Sequence, residues 1–211
     1  MLIQYSATTL SGIPEKIHEH GIAIMDNFLA VSVIQSLADN IRHLSGQMHM
    51  KAAATGREHQ AIVPTLRGDQ IHWLDEQTAS PAQQIYFAKM EQVRQGLNEQ
   101  LYLGLHTLES HLALYTPGMR YQKHIDRFKT QNAGLPLRQI SCILYLNPEW
   151  HESNGGHLRL YLSHEDTDSP EVMDVLPEGG RAIFFLSDTF YHEVLPANQD
   201  RMSLTGWFLT R

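Results

Sequence analysis

At 211 residues, with 42% hydrophobic and 18% charged side chains, the chain has the make-up of an ordinary globular protein with a single buried core and no room for two large domains. Sixteen Lys and Arg against 23 Asp and Glu give a net charge of −7, which argues against a broad phosphate-attracting surface and so against a nucleic-acid partner. Cys142 is the single cysteine, so an intramolecular disulfide and a cysteine-rich zinc site are excluded. With neither a secretory signal nor a membrane-length apolar run, a cytoplasmic protein with no membrane partner is expected.

Gly21 to Leu29 reads as a short strand, with Ile22, Ile24 and Phe28 apolar. A helix follows from about Val31 to Leu44, its buried stripe formed by Ile34, Leu37, Ile41 and Leu44. Ser45 to Arg67 has little periodicity and carries Gly46, Gly56 and Pro64; a connector of that length reads as a functional loop. A second helix is expected from Pro81 to about Leu103, with Ser80 as N-cap and Tyr86, Met90, Val93 and Leu97 facing inward. After Gly104 the pattern changes from period 3.6 to period 2. Strands are expected at His111–Tyr115, Arg120–Asp126, Gln139–Leu146, Gly156–Leu162, Val172–Leu176, Arg181–Leu186, Tyr191–Leu195 and Met202–Leu209. Turn signals such as Pro117-Gly118 and Asn154-Gly155-Gly156 separate them. The expected fold is mainly β with flanking helices: a jelly-roll core of about eight strands supported by N-terminal helices. No linker or repeat divides the chain, so residues 1–211 read as one domain, with helical support and the loop in 1–105 and the strand-rich core in 106–211.

Thirteen histidines supply many candidate metal ligands. His124 and Asp126 are two residues apart, and on an extended strand such residues point to the same face, where both could grip one ion. A His-x-Asp pair arises readily by chance in so histidine-rich a chain. His164-Glu165-Asp166 is a second copy, but it lies in a polar stretch that reads as a solvent-facing hairpin tip. His192, on a strand after the Ser187-Asp188-Thr189 turn, is the best third ligand, and two histidines with one carboxylate on one side of an ion form the facial triad of non-haem Fe(II) oxygenases. Arg201 opens the last strand, on which Arg201, Ser203, Thr205 and Trp207 share one face and Met202, Leu204 and Phe208 the other. A lone guanidinium on a polar inner face suits a site that binds a dicarboxylate bidentately.

With those residues in place, the chain resembles the Fe(II)- and 2-oxoglutarate-dependent dioxygenases, and among them the prolyl hydroxylases related to the oxygen-sensing enzymes. The likeness begins at Arg67-Gly68-Asp69 with Ile71 and Trp73 and is densest from Leu114 to Phe208. It takes in Tyr115, Pro117-Gly118, His124-x-Asp126, Arg138, Cys142-Ile143-Leu144-Tyr145-Leu146-Asn147 and Gly155-Gly156-His157-Leu158-Arg159. Phe184-Phe185-Leu186-Ser187-Asp188, His192-Glu193-Val194, Arg201 and Trp207 complete it.

The resemblance implies His124, Asp126 and His192 as iron ligands and Arg201 as partner of the distal carboxylate of 2-oxoglutarate. Tyr145 is then a hydrogen-bond donor to the same carboxylate and Tyr115 a lining residue of the co-substrate pocket. Arg138 and Trp73 fall where the family contacts its polypeptide, and the Ser45 to Arg67 loop where it covers the substrate. His111 departs from the pattern, since the oxygen-sensing relatives carry an apolar residue there. The implied reaction uses Fe(II), 2-oxoglutarate and O2, with ascorbate as reductant, and hydroxylates a prolyl residue with release of succinate and CO2. The implied partner is a protein with a target proline, and among bacterial relatives elongation factor Tu. A small-molecule hydroxylase would use the same iron site, and a cupin-like metal-binding module would need neither Arg201 nor Tyr145. A nucleic-acid demethylase of the same superfamily would carry a second arginine six residues after Arg201, where this chain has Trp207.

Overall fold

The computed structural model describes residues 2–53, 66–127, 136–163 and 170–211. Three helices precede most of the strands: α1 (Gly12–His20), α2 (Val31–Gly46) and α3 (Pro81–Leu101). The strands of the first half are β1 (Ile22–Met25), β2 (Lys51–Ala52), β3 (Gln70–Trp73) and β4 (Leu105–Tyr115). They continue with β5 (Tyr121–His124), β6 (Arg138–Tyr145), β7 (Leu158–Tyr161) and β8 (Val172–Val175), then β9 (Ala182–Leu186), β10 (His192–Val194) and β11 (Arg201–Thr210). Two antiparallel sheets result. The major sheet runs β1-β9-β6-β11-β4-β3-β2 and the minor sheet β5-β10-β7-β8.

Alternation along the strands builds two cores. On β11, Met202, Leu204 and Phe208 pack with Leu112 and Leu114 of β4 against the helices. The opposite face of the major sheet, with Ala113, Tyr115, Ile143, Tyr145, Ile183 and Phe185, meets Leu158, Leu160, Met173 and Val175 of the minor sheet. The site lies at one end of this second layer. α3 is entered through a capping box: Ser80 Oγ accepts from the Gln83 amide at 3.4 Å, and the Gln83 side chain accepts from the Ser80 amide at 2.9 Å. Its stripe of Tyr86, Met90, Val93 and Leu97 is fully buried, and the helix ends where Tyr102 turns to a left-handed φ of 54°.

Four differences from the sequence-based expectations have physical causes. α1 was not foreseen because nine residues with Gly12 and Pro14 at the start offer too little periodicity; Ile13 and Ile17 still bury one face. β1 stops at Met25 instead of Leu29, since Asn27 takes a φ of 54° and the Phe28 amide turns to the Gly180 carbonyl. The Ser45–Arg67 stretch contains β2, which pairs with β3 at the edge of the major sheet; residues 54–65 of that loop lie outside the described residues. β5 ends at His124, so Asp126 sits in the bend beyond the strand and is not a strand residue as the alternation had implied.

Candidate active site

His192 opens β10 and lies directly opposite His124, the last residue of β5, so antiparallel register alone brings the two imidazoles together. Their ring centroids are 4.1 Å apart. Asp126 then approaches from the bend, with Oδ1 at 3.8 Å from His124 Nε2 and Oδ2 at 3.7 Å from His192 Nε2. The ligand atoms of the three residues all lie within 4.8 Å of one another, and among the described residues this is the one such group of His, Cys, Asp or Glu. His164-Glu165-Asp166 falls outside the described residues.

Each imidazole is aimed by its other nitrogen. His124 Nδ1 lies 2.8 Å from the Gln122 carbonyl and His192 Nδ1 3.1 Å from the Phe190 carbonyl. A carbonyl only accepts, so each Nδ1 carries a proton and Nε2 is the nitrogen turned to the centre, the orientation a metal needs. Tyr121 stacks on His124 at 3.6 Å, and Arg67, in a bidentate pair with buried Asp69, lies over the Tyr121 ring at 4.7 Å. Asp126, lacking a strand ladder, is held by side chains instead. Ser141 Oγ donates to its Oδ2 at 2.5 Å, and Ser187 Oγ lies 2.9 Å from Ser141 Oγ. The next residue, Arg127, pairs with Asp188 and bonds the Ser187 carbonyl through its amide.

The electrostatics match a cation site. Burial raises the proton affinity of Asp126, but His192 and His124, helped by Ser141 and Trp207, more than offset it and hold the carboxyl down at about 2. Burial and the facing His192 lower His124 to about 3, against the opposing pull of Asp126. The centre therefore presents one carboxylate and neutral nitrogen to an ion. Two nitrogens and one oxygen, gathered on one side of a cavity, fit Fe(II) with open positions remaining.

Deeper in the same cavity lies Arg201, 1% exposed. Its Nε donates to the Gly156 carbonyl at 2.8 Å, its guanidinium carbon is 5.2 Å from the rings of both Tyr115 and Tyr145, and its Nη2 is buried with no hydrogen-bond partner. The close approach depends on glycine: Gly156 has a φ of 72°, and a Cβ there would meet Ala197 at 3.0 Å and Trp150 at 3.1 Å. Tyr145 Oη is also buried without a partner in hydrogen-bonding geometry. Burial pushes this phenol up to about 12, against Arg201 and Arg181, so it remains a donor. The unfilled Arg201 donor, in a cavity with no carboxylate paired to it among the described residues, is what an anionic group would satisfy; Tyr145 lies behind the guanidinium and is not among the residues that line the cavity.

Of the remaining expected residues, Tyr115 and Arg138 line the cavity, while Trp73 does not. Arg138 donates to Glu109 at 2.6 Å and covers the Trp207 ring at 3.6 Å, so it is neither free nor a simple surface arginine. Trp73 is 50% exposed beside the mouth, which excludes a core role. Ser141, Ser187 and Tyr121 were not singled out from the sequence. For Ser141 a signal existed: it shares the inner face of β6 with Ile143 and Tyr145, and a serine there is a polar break in an apolar row.

Residues 110–209 match the family described as the 2OG-Fe(II) oxygenase superfamily. A Pseudomonas putida prolyl-4-hydroxylase structure superposes with a TM-score of 0.83 at 36% identity, covering 94% of this chain and 98% of that one. A Trichoplax adhaerens prolyl hydroxylase, solved with a hypoxia inducible factor oxygen degradation domain peptide fragment, gives 0.81 at 25% identity over 94% and 88% of the two chains. Human Egl nine homolog 1 is 26% identical over 197 residues, 90% of this chain and 44% of its own length. The chain spans about half the length of the mammalian Egl nine homologs it matches. The chain belongs to the 2OG-Fe(II) oxygenase superfamily. Within it, the relatives group this protein with the prolyl hydroxylases. Among the described residues no helix is long and apolar enough to cross a membrane.

Proposed function

We propose that this protein is an Fe(II)- and 2-oxoglutarate-dependent dioxygenase that hydroxylates a prolyl residue of a protein in the cytoplasm. The observation that carries the reading is the buried Arg201 guanidinium, with an unpartnered Nη2, in the same cavity as the His124, Asp126 and His192 cluster. A metal-binding module without a co-substrate has no use for a buried cation at that place, and leaving it unpaired costs free energy. The polypeptide reading is supported by the prolyl hydroxylase relatives and by the exposed Trp73 and the half-buried Arg138 at the cavity mouth.

In this mechanism His124, Asp126 and His192 would hold a ferrous ion through Nε2, a carboxylate oxygen and Nε2. Arg201, backed by Tyr145, binds the distal carboxylate of 2-oxoglutarate, and Tyr115 packs along it, so one orientation is fixed before the substrate arrives. When bound, the ion supplies the activation of O2 that couples decarboxylation of 2-oxoglutarate, to succinate and CO2, with hydroxylation of a substrate carbon. The Ser141 and Ser187 hydroxyls keep Asp126 aimed. Leu158, Val194 and Ile143 line the cavity wall and limit water around the reacting carbon. Arg138 and Trp73 receive the polypeptide at the mouth. Ascorbate would be the added reductant.

Elongation factor Tu is the first protein to test as target. Incubation with proline-containing peptides and with that factor, in the presence of Fe(II), 2-oxoglutarate, O2 and ascorbate, should release succinate and add the mass of one oxygen atom to a proline. Turnover of small molecules alone would replace the reading with a small-molecule hydroxylase. No succinate with any substrate would leave a cupin-like metal-binding module.

A further inference from the structure

The inner face of the major sheet extends past the metal cluster toward the surface. In register, Trp73 of β3 lies beside His111 of β4, and His111 beside Thr205 of β11; one step further out, Glu109 lies beside Trp207. His111 lines the cavity, is 1% exposed, and its Nδ1 is buried without a hydrogen-bond partner. Its ring meets Trp73 edge-on at 4.9 Å and lies tilted to Trp207 at 5.4 Å. A buried imidazole thus stands at the foot of an aromatic shelf whose outer end, Trp73, is open to solvent.

An apolar side chain could fill this position among two indoles without stranding a polar atom, so packing alone does not account for a histidine. Burial, with Arg67 and Arg138 nearby, lowers its proton affinity well below the ordinary imidazole value, against a weaker opposite pull from Asp126. The ring is therefore neutral, with one N–H and one lone pair. Thr205, the partner of His111, is four residues along β11 from Arg201, roughly 14 Å at about 3.4 Å per residue. Arg201 and His111 thus line the same cavity from well-separated positions, and the anchor of a diacid at Arg201 is not itself at His111. Trp73, exposed beside His111, leaves this end of the cavity next to solvent, where a polypeptide can approach.

We propose that His111 is a specificity-determining residue that hydrogen-bonds a backbone amide of the polypeptide substrate next to its target residue, with Trp73 and Trp207 as flat faces for an apolar ring such as that of proline. The inference rests on the polypeptide reading above. An extended peptide offers a hydrogen-bonding amide group at each residue, and a buried site that loses its partner discriminates strongly against ligands lacking it. A prolyl ring is rigid and apolar and suits an indole surface.

The test compares wild type, His111→Phe and His111→Asn on a proline-containing peptide that gains one oxygen with the wild-type enzyme. His111→Phe should raise the KM for the peptide tenfold or more, leave the KM for 2-oxoglutarate and the affinity for Mn(II) unchanged, and be largely rescued by His111→Asn, which keeps a donor and an acceptor. A structural role would move all three measures together and give no rescue. An unchanged peptide KM in His111→Phe overturns the inference, as does a rise confined to the 2-oxoglutarate KM, which would assign His111 to the co-substrate. If His111→Phe does not fold, His111→Leu carries the same comparison without a ring to accommodate. Absence of any hydroxylated peptide with the wild type would instead defeat the polypeptide reading, and this inference with it.

Discussion

Replacing Arg201 with methionine should make the empty protein more stable and at the same time blind it to 2-oxoglutarate. The guanidinium is buried, is held by one neutral acceptor at Gly156, and has no carboxylate in ion-pair range among the described residues. Replacing buried charged groups by apolar ones of similar volume is neutral or stabilising by about 1–4 kcal/mol. Part of that gain is lost here, because the Gly156 carbonyl is left unpaired and two tyrosine rings lose a cation at 5.2 Å. A net gain of about 1 kcal/mol corresponds to roughly 2–4 °C in Tm for a chain of this size. Wild type with metal should gain about 2.7 kcal/mol from 2-oxoglutarate at a hundred times its Kd, roughly 5–11 °C on the same scale. Thermal unfolding of both proteins, with metal and with or without 2-oxoglutarate, should therefore show the order of stability reverse when the diacid is added. A less stable empty variant that still shifts with 2-oxoglutarate as wild type does would refute the reasoning.

Ser141→Ala should weaken metal binding about 10- to 100-fold, the usual effect of removing a group that orients a ligand; titration with Mn(II) checks this, and unchanged affinity would remove Ser141 from the positioning of Asp126. Asp126→Ala or His192→Ala should abolish Fe(II)-dependent decarboxylation of 2-oxoglutarate, measured as succinate, and full turnover by either would defeat the metal assignment. Acid should destabilise the metal-free protein. His124 is lowered from 6.5 to about 3, so below pH 6.5 the unfolded chain takes up a proton the folded one refuses, and stability falls until about pH 3. Asp126, lowered from 3.8 to about 2, adds a further loss between those values. Thermal scans of wild type and His124→Gln from pH 7 to 4 should show a shallower acid decline in the variant; identical slopes would contradict the assignment.

The layered β architecture was legible because both cores are written in the alternation of β6, β9 and β11, where one face meets helices and the other the minor sheet. Arg201 and Ser203 could be placed on an inner face for the same reason. What alternation does not carry is the relation between distant segments. The opposition of His124 and His192 depends on register between strands separated by more than sixty residues of chain, and the support of Asp126 by Ser141 and Ser187 depends on β6 and β9 being neighbours. Asp126 itself shows the limit of local reasoning: its place beside His124 was expected from strand geometry, yet the strand ends first and the carboxylate arrives through a bend. The beginning of β4 at Leu105, six residues before the expected His111, has a similar origin, since Leu105 is tied to the end of α3 by Asn98. Trp73 was expected at a polypeptide contact only through the resemblance, and its exposure follows from lying on β3, the next-to-last strand of the major sheet.

The two histidines belong to the minor sheet, whereas the aspartate is tethered by hydroxyls to β6 and the end of β9 in the major one. A cation seated among them acts as a rivet through both layers, joining them at the end where the substrate must enter. Its removal by a chelator would free the two layers to part at that end, while the apolar layer between them still holds the rest, so proteases should nick the stripped protein near the metal cluster first.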